Sequence, residues 1–193
     1  MKEFIKKHYS NILFFLFIIL LFTPYGMPIR SFLIKQVAFV TTRILPLEND
    51  DNEQLALQSY EWSLKSLSGE DLHFSELNNK IIIVNFWATW CPPCIAEMPS
   101  FQSLYDHYKK DDEVFFLFVT TDDRSKVEAF MQKQGYDLPV YYPLSQVPIE
   151  LSSNSIPATF IIDKQGYVIV DKVGAVDWGS ERIIALIDSL KRK

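Results

Sequence analysis

The 193 residues contain two cysteines, and they stand three apart in the run Trp90-Cys91-Pro92-Pro93-Cys94. Thiols at that spacing on the first turn of a helix lie on one side, within bonding reach, and can cycle between dithiol and disulfide by exchange. A helix start also favours a thiolate, through its dipole and its unpaired backbone N–H groups. Pro92 and Pro93 suit the first helical positions, where an N–H would have no partner inside the helix. They also take two donors away from the site, so the Cys94 N–H is the nearest one left for the Cys91 sulfur. The spacing predicts an exposed, attacking Cys91 with a moderately lowered pKa, and a deeper, resolving Cys94. It also predicts a couple nearer to a reductant than to a strong oxidant. The other readings of such a pair are half of a zinc or copper site, or two ordinary core residues. His8, His73 and His107, the chain's histidines, fall in three separate segments. No metal and no cofactor beyond the Cys91–Cys94 disulfide is therefore expected.

The surrounding pattern supplies elements able to position the pair. Ile81 to Trp87 is a β-branched and aromatic run, as in a strand buried on both faces, and it ends just before the cysteines. A helical pattern follows from Pro92 to Lys110, and Val114 to Val119 reads as a second buried strand. Asp122 or Asp123 can cap the next helix, which ends near Gly135. Ala158–Ile162 and Tyr167–Val173 flank Asp163-Lys-Gln-Gly166 as a hairpin. A last helix from about Ser180 carries Ile183, Ile184, Ile187 and Leu190 on one stripe. Ahead of all these, Trp62–Leu64 and Leu72–Phe74 read as a short hairpin. The expected order is β-β-β-α-β-α-β-β-α, an α/β domain with a central mixed sheet flanked by helices.

The block Ile83-Val-Asn-Phe-Trp-Ala-Thr-Trp-Cys-Pro-Pro-Cys-Ile-Ala-Glu-Met-Pro99 resembles the thioredoxin superfamily, and most closely its TlpA/ResA-like membrane-anchored thiol–disulfide oxidoreductases. Ile156-Pro157-Ala-Thr-Phe-Ile-Ile-Asp163 resembles the second motif of that family, and the likeness runs from about Tyr60 to Leu190. It implies a thioredoxin-like fold with an N-terminal hairpin extension. It also implies a cis peptide bond at Pro157, facing the dithiol and leaving the Ile156 backbone free to pair with a substrate strand. Glu97 matches the acidic residue that the family carries just after the cysteines. Three residues past Cys94, it shares a helical face with it and could move protons during exchange; a solvated surface glutamate is the bland alternative. Asn85 stands where thioredoxin has a buried aspartate, and an amide cannot titrate. Trp87 reads as core and Trp90 as a partly exposed cover. The surface that meets substrate is expected to include Trp90, Pro92, Pro93, Ile156 and Pro157. Residues 134–155 match an insertion whose Tyr136, Tyr141, Tyr142, Val147 and Leu151 either pack or shape partner choice. Asp122 is read first as a helix cap, with a place near the site as the alternative.

Charge is divided along the chain. The overall balance is −5, yet residues 1–47 hold six Lys/Arg against Glu3 alone, so everything after them is acidic. An acidic domain without a basic cluster argues against a nucleic-acid partner. Lys2, Lys6 and Lys7 precede Ile12–Phe22, an apolar run of eleven residues, and no charge occurs between Lys7 and Arg30. As helix, residues 9–29 would reach roughly 30 Å, about one hydrocarbon core. The expected organisation is a basic cytoplasmic start at 1–8, a signal anchor at 9–29, a stalk at 30–59 that includes the acidic run Glu48–Glu53, and a thioredoxin-like domain at 60–193. A cleaved signal is the alternative to the anchor.

These readings together describe a protein held at a bacterial cytoplasmic membrane with its domain outside. The expected activity is reduction of disulfides in exported proteins, with apocytochrome c as a client that the family resemblance suggests and with re-reduction by a membrane electron donor. The rivals are an oxidant or isomerase of exported proteins, a copper-handling protein, and a non-catalytic interaction module. A peroxidase of the peroxiredoxin type is disfavoured, because Ala88 stands three before Cys91 where that family has threonine.

Overall fold

The computed structural model describes residues 2–44 and 55–192. The acidic run Glu48–Glu53 of the expected stalk lies outside the described residues.

Seven strands form one mixed sheet: β1 (Ser63–Ser66), β2 (Asp71–His73), β3 (Ile81–Phe86), β4 (Val114–Val119), β5 (Val140–Pro143), β6 (Ala158–Ile162) and β7 (Val168–Val173). Their spatial order is β2-β1-β5-β4-β3-β6-β7. Strands β3, β4 and β5 run parallel, and the remaining pairs are antiparallel. The apolar runs read as doubly buried strands divide their side chains by period two. Ile81, Ile83, Phe116, Phe118 and Ile161 enter one core, while Ile82, Val84, Leu117, Val119, Phe160 and Ile162 enter the other. The first core also takes side chains of helices α3 (Pro92–Tyr108), α4 (Arg124–Gln134) and α5 (Glu181–Lys191). Trp62, Leu64, Phe74, Leu77 and Leu151 join the second, from the hairpin and from two short 3₁₀ turns.

The expected strand and helix order holds, with one strand added. β5 escapes the pattern reading because it is four residues long and ends on Pro143, leaving no room for a visible alternation. It connects β1 to β4 and so fuses the N-terminal hairpin into the main sheet. The domain also begins earlier than residue 60. Ala56 bridges to Tyr167, and the Leu57 N–H donates to the Gly166 carbonyl at 2.9 Å. Gly166 is needed there: its φ is +87°, and a Cβ would stand 2.6 Å from the Tyr60 hydroxyl.

The N-terminal region corrects two expectations. Residues 9–29 are not one helix. Helix α1 covers Lys2–Phe22, a 3₁₀ turn covers Pro24–Gly26, and helix α2 covers Met27–Ile44. Pro24 has no N–H to continue the ladder, and the Thr23 hydroxyl caps the break by donating to the Leu20 carbonyl at 2.7 Å. Among the described residues no helix is long and apolar enough to cross a membrane. Residues 30–44, expected as stalk, are helical and lie against the domain. Ser31 and Ala38, seven apart and both buried, face inward. The Ser31 hydroxyl donates to the Pro92 carbonyl at 3.1 Å, at the very start of α3. Lys35 and Gln36 do not interrupt α2: both side chains are exposed, and Lys35 lines clefts that α2 shares with α3. Large apolar side chains remain exposed on α1 and α2, among them Phe14, Phe15, Ile19, Leu33 and Val37.

Candidate active site

Strand β3 delivers a four-residue loop, Trp87 to Trp90, that ends at Cys91, the N-cap of α3. Cys91 is extended, with φ −90° and ψ 107°, and Pro92 and Pro93 occupy the first helical positions as expected. Its sulfur is bonded to that of Cys94, with the two Cα atoms 5.3 Å apart. The Cys94 N–H donates to Cys91 Sγ at 3.3 Å, the single nearby backbone donor that the prolines leave. Both cysteines sit in the core with Trp87 and Ala88, so Cys91 is only 3% exposed and Cys94 fully buried. The depth order is as expected, but the open exposure expected for Cys91 is not. Ile156 packs against that cluster, and its carbonyl oxygen stands 3.9 Å from Cys91 Sγ, within reach of an S–H in the reduced protein.

The Ile156–Pro157 peptide bond is cis. Pro157 is buried, and Ile156 precedes Ala158, the first laddered residue of β6. The second motif thus faces the first across the dithiol.

Glu97 is not a surface residue. It lies on α3, one turn beyond Cys94, and is 1% exposed. Three donors hold its carboxylate: Asn85 Nδ2 to Oε1 at 2.9 Å, Trp178 Nε1 to Oε2 at 3.0 Å, and the Val176 N–H to Oε2 at 3.4 Å. Burial penalises the charged form and raises the pKa from 4.5 to about 8, against the pull of those hydrogen bonds. Asn85 is positioned in turn by register. It lies opposite Thr159 on β6 and donates its second amide hydrogen to Thr159 Oγ1 at 2.9 Å.

Asp122 is not the helix cap. Asp123 takes the N-cap position of α4, without a side-chain hydrogen bond. Asp122 instead clamps the loop before the cysteines: Oδ2 accepts from the Thr89 N–H and hydroxyl at 2.7 Å each, and Oδ1 accepts from Trp90 Nε1 at 3.0 Å. Trp90, 63% exposed, is thereby fixed beside the dithiol. It borders a cleft of about 370 Å³ whose walls include Trp62, Phe86, Val147, Leu151 and Ile156. Of the insertion residues, Val147 and Leu151 reach this cleft. Tyr136 lies behind α3 in a separate cleft facing α2, and Tyr141 packs on Phe115.

Sequence reading missed Trp178, Val176 and Thr159 as partners of the site. Trp178 and Val176 meet Glu97 across about eighty residues of chain, a distance over which spacing carries no signal. Among the described residues no group of three or more His, Cys, Asp or Glu is placed to hold a metal ion.

Comparison with known proteins follows the same lines. Residues 56–170 match the AhpC/TSA family. The thioredoxin-like protein YneN of Bacillus subtilis is 31% identical over 121 residues, which cover 62% of this chain and 71% of that protein. The thiol-disulfide oxidoreductase ResA of Geobacillus kaustophilus is 34% identical over 106 residues, covering 54% of this chain and 61% of that one. A solved thiol:disulfide interchange protein of the thioredoxin family, from Chlorobium tepidum TLS, superposes with a TM-score of 0.56 at 25% identity, over 69% of this chain and 97% of its own. The match to the family spans more than half of the sequence, and the chain belongs to the AhpC/TSA family as a thioredoxin-like thiol–disulfide oxidoreductase.

Proposed function

We propose that the protein is a membrane-tethered reductase of disulfides in exported proteins, acting outside the cytoplasmic membrane through Cys91 and Cys94. The observation that carries this reading is the meeting of three groups: the cysteine pair at the start of α3, the Ile156 carbonyl facing it, and the buried carboxyl of Glu97 one turn along. In the reduced protein the Cys91 thiolate attacks one sulfur of the client disulfide. That bond breaks, the client's other sulfur leaves and takes up a proton, and a mixed disulfide forms. Glu97 as carboxylate accepts the proton of Cys94. The Cys94 thiolate then attacks Cys91 Sγ, and the client's second sulfur departs. The client has gained two electrons, and the enzyme is left with the Cys91–Cys94 bond seen here. A dithiol donor at the membrane returns the two electrons and loses its two protons to solvent, from which the client's two thiols draw theirs, while Glu97 gives its proton back to Cys94.

Cys94 is fully buried, so its thiolate is costly unless a neighbour manages the proton. A carboxyl with pKa about 8 can both take and give a proton near neutrality. The cleft beside Trp90 offers apolar walls to the residues flanking a client cysteine, and an apocytochrome c with its CxxCH pair suits it. The exposed apolar side chains of α1 and α2, together with the basic start, support the tether.

The test uses the full chain in detergent with a protein disulfide as substrate. Cys91→Ser is expected to abolish turnover, and Cys94→Ser to accumulate mixed disulfides visible on non-reducing gels. Full turnover by Cys91→Ser would sink the mechanism.

A further inference from the structure

Glu97 is the proton acceptor in the scheme above, yet nothing in that scheme explains how a carboxyl so deep is kept available. The surroundings of its Oε2 are specific. Trp178 is fully buried, donates Nε1–H to Oε2 at 3.0 Å, and stacks its ring on Phe101 with centroids 5.2 Å apart and planes 15° from parallel. The Trp178 backbone is fastened to α3 as well: its N–H donates to Ser100 Oγ at 3.1 Å, and that hydroxyl donates to the Glu97 carbonyl at 2.6 Å. The indole therefore reaches Oε2 from a position set by the redox helix itself, and the aromatic stack leaves the ring little room to turn away.

We propose that Trp178 is a positioning residue for the exchange reaction: its indole N–H holds the Glu97 carboxyl in the orientation from which it takes the proton of Cys94. Oε2 is occupied by Trp178 and Val176, and Oε1 by one hydrogen of Asn85. A second lone pair of Oε1 stays available for Cys94, one turn earlier on the same helical face. The indole also favours the ionised carboxyl, because a donor aimed at a carboxylate stabilises charge that burial opposes. Of the titratable and charged groups on the elements packed around the carboxyl, α3 carries Cys91 and Cys94 and, at its far end, Tyr105, Asp106, His107 and Tyr108; the loop before α5 carries Asp177, and α2 carries Arg30, Lys35 and Arg43. Lys35 lines a small cleft with Ala96, Ser100, Val176 and Asp177. Strands β3 and β6 contribute Asn85 and Thr159, which do not titrate.

This inference rests on the proton-transfer role proposed for Glu97, and the experiment separates the two. The reduced full chain in detergent is mixed with 4,4′-dithiodipyridine, which releases one thiopyridone when Cys91 attacks and a second when Cys94 resolves the adduct. The pH profile of the second phase is followed. Glu97→Gln should flatten it; an unchanged profile would reject the role of Glu97 itself. Trp178→Phe keeps the ring stack and removes the N–H. Its second-phase midpoint should rise by about one pH unit, slowing the phase at pH 7 about tenfold while leaving the first phase in place. In the Glu97→Gln background the same substitution should leave the flattened profile as it is. A second-phase profile unmoved by Trp178→Phe, in a protein where Glu97→Gln does flatten it, overturns the inference. Should Trp178→Phe fail to fold, the unaltered protein carries the test. With ¹⁵N-labelled indoles, the Nε1–H resonance of Trp178 should shift with the same midpoint as the second phase, and an invariant resonance contradicts the proposal.

Discussion

At the residue scale, the site joins two thiols to a carboxyl that the fold keeps protonated. In the native protein Glu97 holds its proton up to about pH 8, whereas the unfolded chain gives it up near 4.5. The native state therefore binds the extra proton between those values. The stability that this group contributes is fully present below pH 4.5 and is lost as pH rises through 8, with a slope approaching about 1.4 kcal/mol per unit. Glu97→Gln should remove that slope from urea unfolding measured at several pH values between 5 and 8. An identical pH dependence in the variant would contradict the account of Glu97. Its position was legible in the sequence, because three residues past Cys94 puts it on the same helical face. Its burial was not: the residues that cover and hold it come from β3 and from the loop before α5, and only the folded sheet brings them together.

At the element scale, the turn between β3 and α3 is held from outside, by Asp122 in the loop between β4 and α4. That carboxylate accepts three hydrogen bonds from Thr89 and Trp90, in a half-exposed setting. Asp122→Ala should lower stability by about 1–2 kcal/mol and slow the attack of Cys91, since the loop that presents it loses its clamp. A variant with wild-type unfolding midpoint and first-phase rate would show the clamp to be dispensable. Cap and clamp look alike in sequence, because Asp122 and Asp123 both precede a helix; the choice is made by the fold, which brings Thr89 and Trp90 against Asp122. The long, periodic or doubly apolar elements β3, α3, β4 and α5 were legible, since each carries its signal within itself. Strand β5 was not, being short and bounded by proline. Nor was α2, whose buried residues, among those described, are Ser31 and Ala38, too small to register as a hydrophobic stripe.

At the scale of the whole molecule, α2 lies against the redox helix, and its other side, like much of α1, presents large apolar residues. The tethered reading expects the full chain to float with phospholipid vesicles on a density gradient and to resist extraction by carbonate. A chain that stays in the dense fraction would remove the membrane from the proposed function and leave the dithiol chemistry standing. That chemistry is tested most directly by the reduction potential of the Cys91–Cys94 couple in the full chain, equilibrated with dithiothreitol and glutathione buffers. A reductase supplied with electrons should show a potential of about −250 mV or lower, at the thioredoxin end of the range. A value near about −120 mV, at the oxidising end, would make the protein a donor of disulfides and contradict the proposed direction of its reaction.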